Sequence, residues 1–490
     1  MVGLRLSFFD FITLRNPFFD LGQDRYNRKR STFAGRKKND SVEQVIQSVR
    51  LRKGLTSLVI PIFIETLLIM MLGAVDTVML SQYSDESVAA VGVVNQLVMF
   101  AFLVFEVINI GTSVLCSQYL GAGRRTNMVQ VVGVSLLLNL VVGLLVSATL
   151  HFGAATLLGW MGLRPELLRY GVGYMRIVGA FAFFQALSLT VSASLRSADK
   201  AIYPMLVTVL VNVMNIIGNY LLIFGKCGLP ALGAEGAAIS TSVARGVSMV
   251  VLFLLLFRKH IPSFPLRLFR PFPWIELKKL LQVGLPSAGE NMSYSLSQVV
   301  ITYFINRLGN DELATRTYTV NIVMFVYLFA IAMAQGGAIS IGHLVGRQKI
   351  RAAYLLGKYV MRLSVLVSLV LSCVWAACGA TLFGWLTDNE AIVRLGVTVM
   401  LIDILVEIGR AVNIYATNAL RSAGDVNYPF YMGVVVQWTV SVGFSYLFGI
   451  HWGWGLAGMW CAFCLDENIR ALLFVGRWNS LKWARKSFVR

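Results

Sequence analysis

The sequence predicts an all-α membrane protein: twelve transmembrane helices in two homologous six-helix lobes, related by a pseudo-twofold axis along the membrane normal. Three observations lead there. Of 490 residues, 57% are hydrophobic and 14% charged, with a mean hydropathy of +0.70. A soluble chain is about 45–50% apolar and about 25% charged. The apolar residues fall into runs of 20 or more, the length of a spanning helix, without the alternation of a spanning strand. Finally, LRSADKAIYP at 195–204 returns as LRSAGDVNYP at 420–429, with six of ten positions identical and a shift that carries Leu195 onto Leu420.

Taken in order, the segment 1–54 is polar and basic. Within it LRLSFFDFITLRNPFFD (4–20) has the pattern of a short amphipathic surface helix. It is not a signal peptide, because Asp10 and Arg15 interrupt it and no small-residue cleavage site follows. Apolar stretches recur at 55–80, 88–117, 127–149, 169–194, 203–224 and 235–257. The basic linker RKHIPSFPLRLFRPFPWIELKK (258–279) follows, then six more stretches near 280–306, 313–341, 350–376, 390–419, 428–448 and 455–475. The expected organisation is an N-terminal tail (1–54), an N-lobe (55–257), a linker (258–279), a C-lobe (280–476) and a basic tail (477–490).

Lys and Arg in short connections set orientation. One set of connections holds the N-terminal tail, Arg124–Arg125, Arg196 with Lys200, the linker, Arg347 with Lys349 and Arg351, Arg421 and the C-terminal tail. The alternate set, SQYSDES (81–87), GNDE (309–312) and TDNE (387–390), is acidic; Arg164 and Lys226 are exceptions. Both termini are therefore expected in the cytoplasm of a bacterial cell, the chain being a multi-pass protein of the inner membrane.

The net charge of +19 sits largely in those flanks, as topology signals and not as a nucleic-acid surface. No Gly-x4-Gly-Lys-Ser/Thr nucleotide motif occurs. Cys461 and Cys464 have CxxC spacing but no second pair or nearby histidine, so no zinc site is expected and the six cysteines are read as packing residues. No cofactor and no obligate protein partner is inferred; the bilayer and a small-molecule substrate are the expected partners.

The same shift also relates Pro61 to Pro286, Glu65 to Glu290 and Met99 to Met324, and nearly relates Asn95 to Asn321. Six helices per unit is an even number, so both lobes enter from one side and their axis runs along the membrane normal. Paired helical lobes around a central cleft are what alternating access requires.

The segment GAVDTVMLSQYSDESVAAVGVVNQ (73–96) resembles the first extracellular hairpin of MATE (multidrug and toxic compound extrusion) transporters. LRSADKAIYPMLVTVLVNVMNIIGNYLLIFG with PALGAEGAAIST looks like their helices 5 and 6, and GLPSAGEN (284–291) like the opening of helix 7. LVEIGRAVNIYATNALRSAGDVNYP looks like helix 10 of one bacterial, NorM/DinF-like branch. The likeness covers about 55–476. It implies a transporter and not an enzyme: export of amphipathic or aromatic organic molecules, mostly cations, driven by an inward Na⁺ or H⁺ gradient. One enterobacterial member is associated with export of flavin mononucleotide and FAD.

Ionisable groups inside a membrane cost at least about 2.5–3.5 kcal/mol at a helix centre and need a reason to be there. Glu65 and Asp76 are three full turns and a little more apart, which puts them on one face of helix 1, about 16 Å apart along its axis. Asn212, Asn215 and Asn219 form a stripe on helix 5. Such oxygens suit Na⁺ or a proton relay. The resemblance matches Asp76 and Asn215 to the family's N-lobe cation pocket. Asn219 stands where some members carry an acid, which weakens a two-carboxylate site. Asp76, Asn215, Asn219 and Glu65 are thus the candidates for cation coupling, against plain roles as caps, interhelical glue, or, for Glu65 and Glu290, repair of the backbone one turn after a proline.

Candidates for the substrate cleft are Glu290, Asp403, Glu407, Arg410 and Tyr294. The helix 10 trio reads either as a self-neutralising ion network or as part of the cleft, and Asp466, Glu467 and Arg470 as a local salt-bridge cluster on helix 12. Arg176, Arg245 and Arg410 leave room for an anionic substrate such as a flavin phosphate. Tyr294, Tyr303, Tyr318 and Tyr327 either stack on flat substrates or pack. Two other classes compete with an antiporter. A lipid-linked-sugar flippase expects a cleft rich in Arg and Lys. A membrane-embedded enzyme needs Asp-rich metal motifs that this chain lacks.

Overall fold

The computed structural model describes residues 34–261, 267 and 270–489, with side chains from Gly54 onward. The segment 4–20 lies outside the described residues. Twelve helices cross the membrane. In the N-lobe they are α1 (Ala34–Ser81), α2 (Asp85–Gly121), α3 (Arg125–Phe152), α4 (Pro165–Ala180 with Ala182–Ser197), α5 (Ile202–Ile223) and α6 (Gly233–Lys259). In the C-lobe they are α7 (Trp274–Asn306), α8 (Asn310–Gly346), α9 (Ile350–Ala377), α10 (Glu390–Ser422), α11 (Asn427–His451) and α12 (Gly455–Asn479).

Among the described residues, eight of these are long and apolar enough to span on composition alone, and the two halves of α4 make a ninth. The other three, α7, α10 and α12, carry charged and polar side chains that turn inward, as the site below requires. Outward-facing apolar residues such as Ile69, Met99, Leu145, Val299 and Leu472 are more than half exposed, which is the surface a bilayer covers.

Local chemistry explains the ends and breaks. Ser84 caps α2, its hydroxyl accepting from the Ser87 amide at 3.2 Å, and Asp85 and Glu86 occupy the first turn, where the helix dipole favours acids. The halves of α4 meet at 45°. There the Phe183 amide donates to the Ser147 hydroxyl at 3.1 Å, a side chain intruding on the backbone ladder.

Three boundaries differ from the sequence expectation. The first helix begins at Ala34, well before the apolar onset at 55, since extending an existing helix adds a hydrogen bond for each residue fixed. The segment 258–279 is helical at both ends, because α6 runs to Lys259 and α7 starts at Trp274. The stretch 477–489 does not form a free tail. Its Trp483 is fully buried and stacks on Trp478 at 4.3 Å, and Val489 is buried.

The lobes meet along α1 and α2 of one and α7 and α8 of the other. Helix α2 packs on α7 and α8, and α8 packs on α1 and α2, as a twofold relation demands. At the face that carries the C-terminal residues the relation extends to single atoms. Gln118 Nε2 donates to the Ser422 carbonyl at 2.8 Å. His343 Nε2 donates to the Ser197 carbonyl at 2.7 Å. Gln118 and His343, and Ser197 and Ser422, are related by the same shift that carries Leu195 onto Leu420. The repeat pair Gly121 and Gly346 lets the two backbones close: a Cβ on Gly121 would meet the His343 carbonyl, and one on Gly346 the Gln118 carbonyl. The C-terminal residues add to this seam, with the Phe488 amide donating to Gln118 Oε1 at 2.9 Å and Lys486 Nζ to Asp425 at 2.8 Å.

Candidate functional site

Between the lobes lies a cavity of about 330 Å³. Side chains from α2, α4, α7, α8, α10, α11 and α12 line it, and it ends at Ser422, on the sealed seam. Of the sequence-predicted cleft residues, Glu290, Tyr294 and Arg410 line the cavity; Asp403 and Glu407 do not. Asp403 is buried and accepts from Trp460 Nε1 at 3.0 Å. Glu407 is fully buried behind the wall and ion-paired with Arg410.

The acid and the arginine of each repeat meet. Arg196 NH1 stands 2.9 Å from Glu65 Oε1, and Arg421 NH2 stands 2.6 Å from Glu290 Oε2. Arg196, Glu290 and Arg421 all line the cavity. Read from sequence alone, the two arginines are topology signals, and Glu65 and Glu290 are candidates for cation coupling and the substrate cleft or else backbone repairs. The structure adds that each acid is held by the arginine of its own repeat, a charge-assisted bond. The signal lies in the sequence: the separation from glutamate to arginine, 131 positions, is the same in both lobes.

Across the C-lobe wall, the helix 10 and helix 12 clusters are one network. Arg410 bonds Glu407 and lies 3.7 Å from Glu467. Arg470 bonds Asp466 and lies 3.2 Å from Glu467. Asn413 Nδ2 donates to Glu467 Oε2 at 2.6 Å. Mutual neutralisation is what makes these buried charges tolerable, although Glu407 Oε2, Asp466 Oδ1 and Arg470 Nε make no hydrogen bond.

Nearer the opposite face, the N-lobe holds a second polar group. Asn219 Nδ2 donates to Asp76 Oδ1 at 2.6 Å and to Asn215 Oδ1 at 3.0 Å. Asn215 Nδ2 donates to Thr241 at 3.0 Å. Both asparagines are fully buried. Arg245 acts electrostatically on Asp76 and lies over the Phe102 ring at 5.2 Å. Glu65 does not join this group: it is held by Arg196 despite sharing a helix face with Asp76. Asn212 also stands apart, donating to the Leu68 carbonyl at 2.8 Å. The C-lobe has no counterpart, since the repeat places Ile301, Val440 and Phe444 at the positions of Asp76, Asn215 and Asn219.

Of the tyrosines, Tyr294 and Tyr327 line the cavity; Tyr318 packs edge-on against Phe383 and Tyr303 is 60% exposed on the outer surface. Arg176 is exposed. All six cysteines are free, and among the described residues no three His, Cys, Asp or Glu side chains cluster as a metal site would need. Among the lining residues that the sequence reading did not single out is one acid, Glu106 of α2. Its signal is that it is the sole acid in the apolar run 88–117.

The MatE family profile matches the chain twice, at residues 61–221 and 286–447. It is 38% identical to a Bacillus subtilis protein named uncharacterized transporter YisQ, over 91% of this chain and 99% of the relative. It is 26% identical to a probable multidrug resistance protein NorM of Thermotoga maritima, over 89% of this chain and 94% of the relative. Among solved structures, an outward-facing multidrug resistance MATE family transporter of the MOP superfamily superposes with a TM-score of 0.81 at 22% identity. A MOP superfamily transporter from Pyrococcus furiosus, described as having reverse polarity of its binding pocket, gives the same score and identity. Each of these two matches covers 88% of this chain and 97% of the other.

Proposed function

The chain belongs to the MatE family, and on that premise we propose that it is a secondary active efflux transporter. It exports amphipathic or aromatic organic molecules from the cytoplasm in exchange for Na⁺ or H⁺, by alternating access of the central cavity. The single observation that carries this reading is a cavity between two repeat-related lobes, sealed on one face by reciprocal hydrogen bonds that rigid-body rocking of the lobes would break. The sealed face, with the basic connections and the C-terminal residues, is assigned to the cytoplasm, so the cavity here is in its outward-directed state.

The coupling cation is assigned to Asp76, Asn215 and Asn219. A ligand shifts a conformational equilibrium only through its differential affinity for the two states. A group that ties α1 to α5 through one carboxylate suits that role, because occupancy changes what Asp76 holds. Glu65 is assigned to the cavity wall with Arg196.

Flavin mononucleotide and FAD form a second reading, favoured by four arginines that line the cavity. Each of those arginines already has a carboxylate partner, which also argues against a flippase built around free cations. The test is dye and flavin uptake into everted membrane vesicles with an imposed pH or Na⁺ gradient. Gradient-dependent accumulation is expected; uptake that ignores both gradients overturns the antiport reading.

A further inference from the structure

On the sealed face, away from the central cavity, lies a groove of about 840 Å³. Its walls are the first turns of α7, the turn between α10 and α11, and the C-terminal residues Lys486 and Phe488. Trp274, Lys278, Leu281 and Leu285 line it. They follow one another at helical spacing and so form one stripe of α7. Trp274 is 69% exposed and Leu285 58% exposed, so the stripe looks outward, to the bilayer. It is graded along its length. Trp274 and Lys278 stand where α7 begins, and Leu285 lies about 10 Å deeper than Lys278 by helical rise.

The charge of the groove has one sign. Among the described residues no acid lines it. Lys278 is exposed and, among the described residues, makes no ion pair. Lys486 Nζ reaches Asp425 at 2.8 Å, but Arg477 Nε reaches the same carboxylate at 2.7 Å. Two cations thus share one buried acid, and a positive charge is left over. Glu276, the acid in the first turn of α7, is buried and accepts from Tyr119 and Asn127. The arrangement belongs to one lobe. The repeat places Asp199 where Gly424 stands, and a Cβ on Gly424 would meet the Lys486 carbonyl, so the glycine lets the C-terminal residues close this wall.

We propose that this groove seats an anionic phospholipid of the cytoplasmic leaflet. Its phosphate meets the Lys278 and Lys486 ammoniums, and an acyl chain runs along Leu281 and Leu285. Basic pockets between helices on the cytoplasmic side suit such head groups, and tryptophan favours the head-group level. The same wall closes the seam between the lobes. Phe488 packs against Val114 of α2, Val283 of α7 and Val426, and its amide donates to Gln118. A lipid held against Lys486 and Phe488 therefore favours the sealed arrangement, because a ligand shifts an equilibrium towards the state it binds better. The site lies outside the central cavity and is independent of what the protein carries.

The test is thermal melting of the delipidated full-length protein in neutral detergent, titrated with phosphatidylglycerol, phosphatidylcholine or soluble glycerol 3-phosphate. Phosphatidylglycerol should raise the melting temperature at concentrations where the other two do not. One lysine near a membrane surface contributes about fivefold to affinity for anionic lipid. Lys278→Gln should therefore move the phosphatidylglycerol midpoint to about fivefold higher concentration, while Lys278→Arg keeps the wild-type midpoint. Lys349→Gln removes an exposed charge elsewhere on the sealed face and should move nothing. Equal responses to the two lipids, a midpoint unmoved by Lys278→Gln, or an equal shift from Lys349→Gln overturns the site. A response to glycerol 3-phosphate as large as that to phosphatidylglycerol overturns the lipid assignment and leaves a site for soluble phosphate.

Discussion

Arg421 donates to Glu290 across 2.6 Å, and the two residues stand in the C-lobe where Arg196 and Glu65 stand in the N-lobe, 2.9 Å apart. The duplicated sequence therefore repeats an interaction. In each lobe the guanidinium joins the first helix to the end of the fourth: α1 to α4, and α7 to α10.

Breaking a buried pair at one end leaves an uncompensated charge, at a cost of about 3–5 kcal/mol, whereas removing both ends costs much less. Glu290→Gln and Arg421→Gln should each lower the melting temperature of the purified protein, and the double variant should recover part of the loss. The Arg196–Glu65 pair, whose arginine is more exposed, should give a smaller coupling in the same cycle. Additive losses would show that the ion pair contributes no coupling.

Asp76→Asn keeps the shape of the N-lobe group and removes its charge. Gradient-driven efflux should be almost abolished with normal membrane insertion, while rhodamine 6G binding in detergent falls only modestly, since Asp76 lies outside the cavity. Full transport by this variant would leave Asp76 as a structural residue.

The close approach at Gly121 and Gly346 makes the sealed seam sensitive to one methyl group. Gly346→Ala must push the α2 backbone away from α8 at Gln118. A Ser197→Cys reporter, fully buried at the seam in the wild type, should then become reactive to a water-soluble maleimide. Unchanged protection would mean that the seam closes without this contact.

The orientation assigned to the seam has its own check. A reporter enzyme fused after Arg490 should behave as cytoplasmic. A periplasmic signal would invert the charge argument and place the seal on the outside.

Sequence alone determined the class, the helix count and the duplication. The reason is that a bilayer demands helices of about 20 apolar residues, and a long repeat fixes its own shift. It also isolated Asp76, Asn215 and Asn219, because two of them lie on one helical face and a carboxylate at depth stands out from its surroundings. It did not show which acid meets which arginine. Glu65 and Glu290 sit one turn after prolines in sequence, yet their partners Arg196 and Arg421 lie three helices further along the chain, and only the tertiary arrangement of each lobe brings the long arginine side chains within reach. Glu106 passed unnoticed for the complementary reason. Its position in an apolar run is legible, but its place in the cavity wall is decided by how α2 packs against the helices of both lobes.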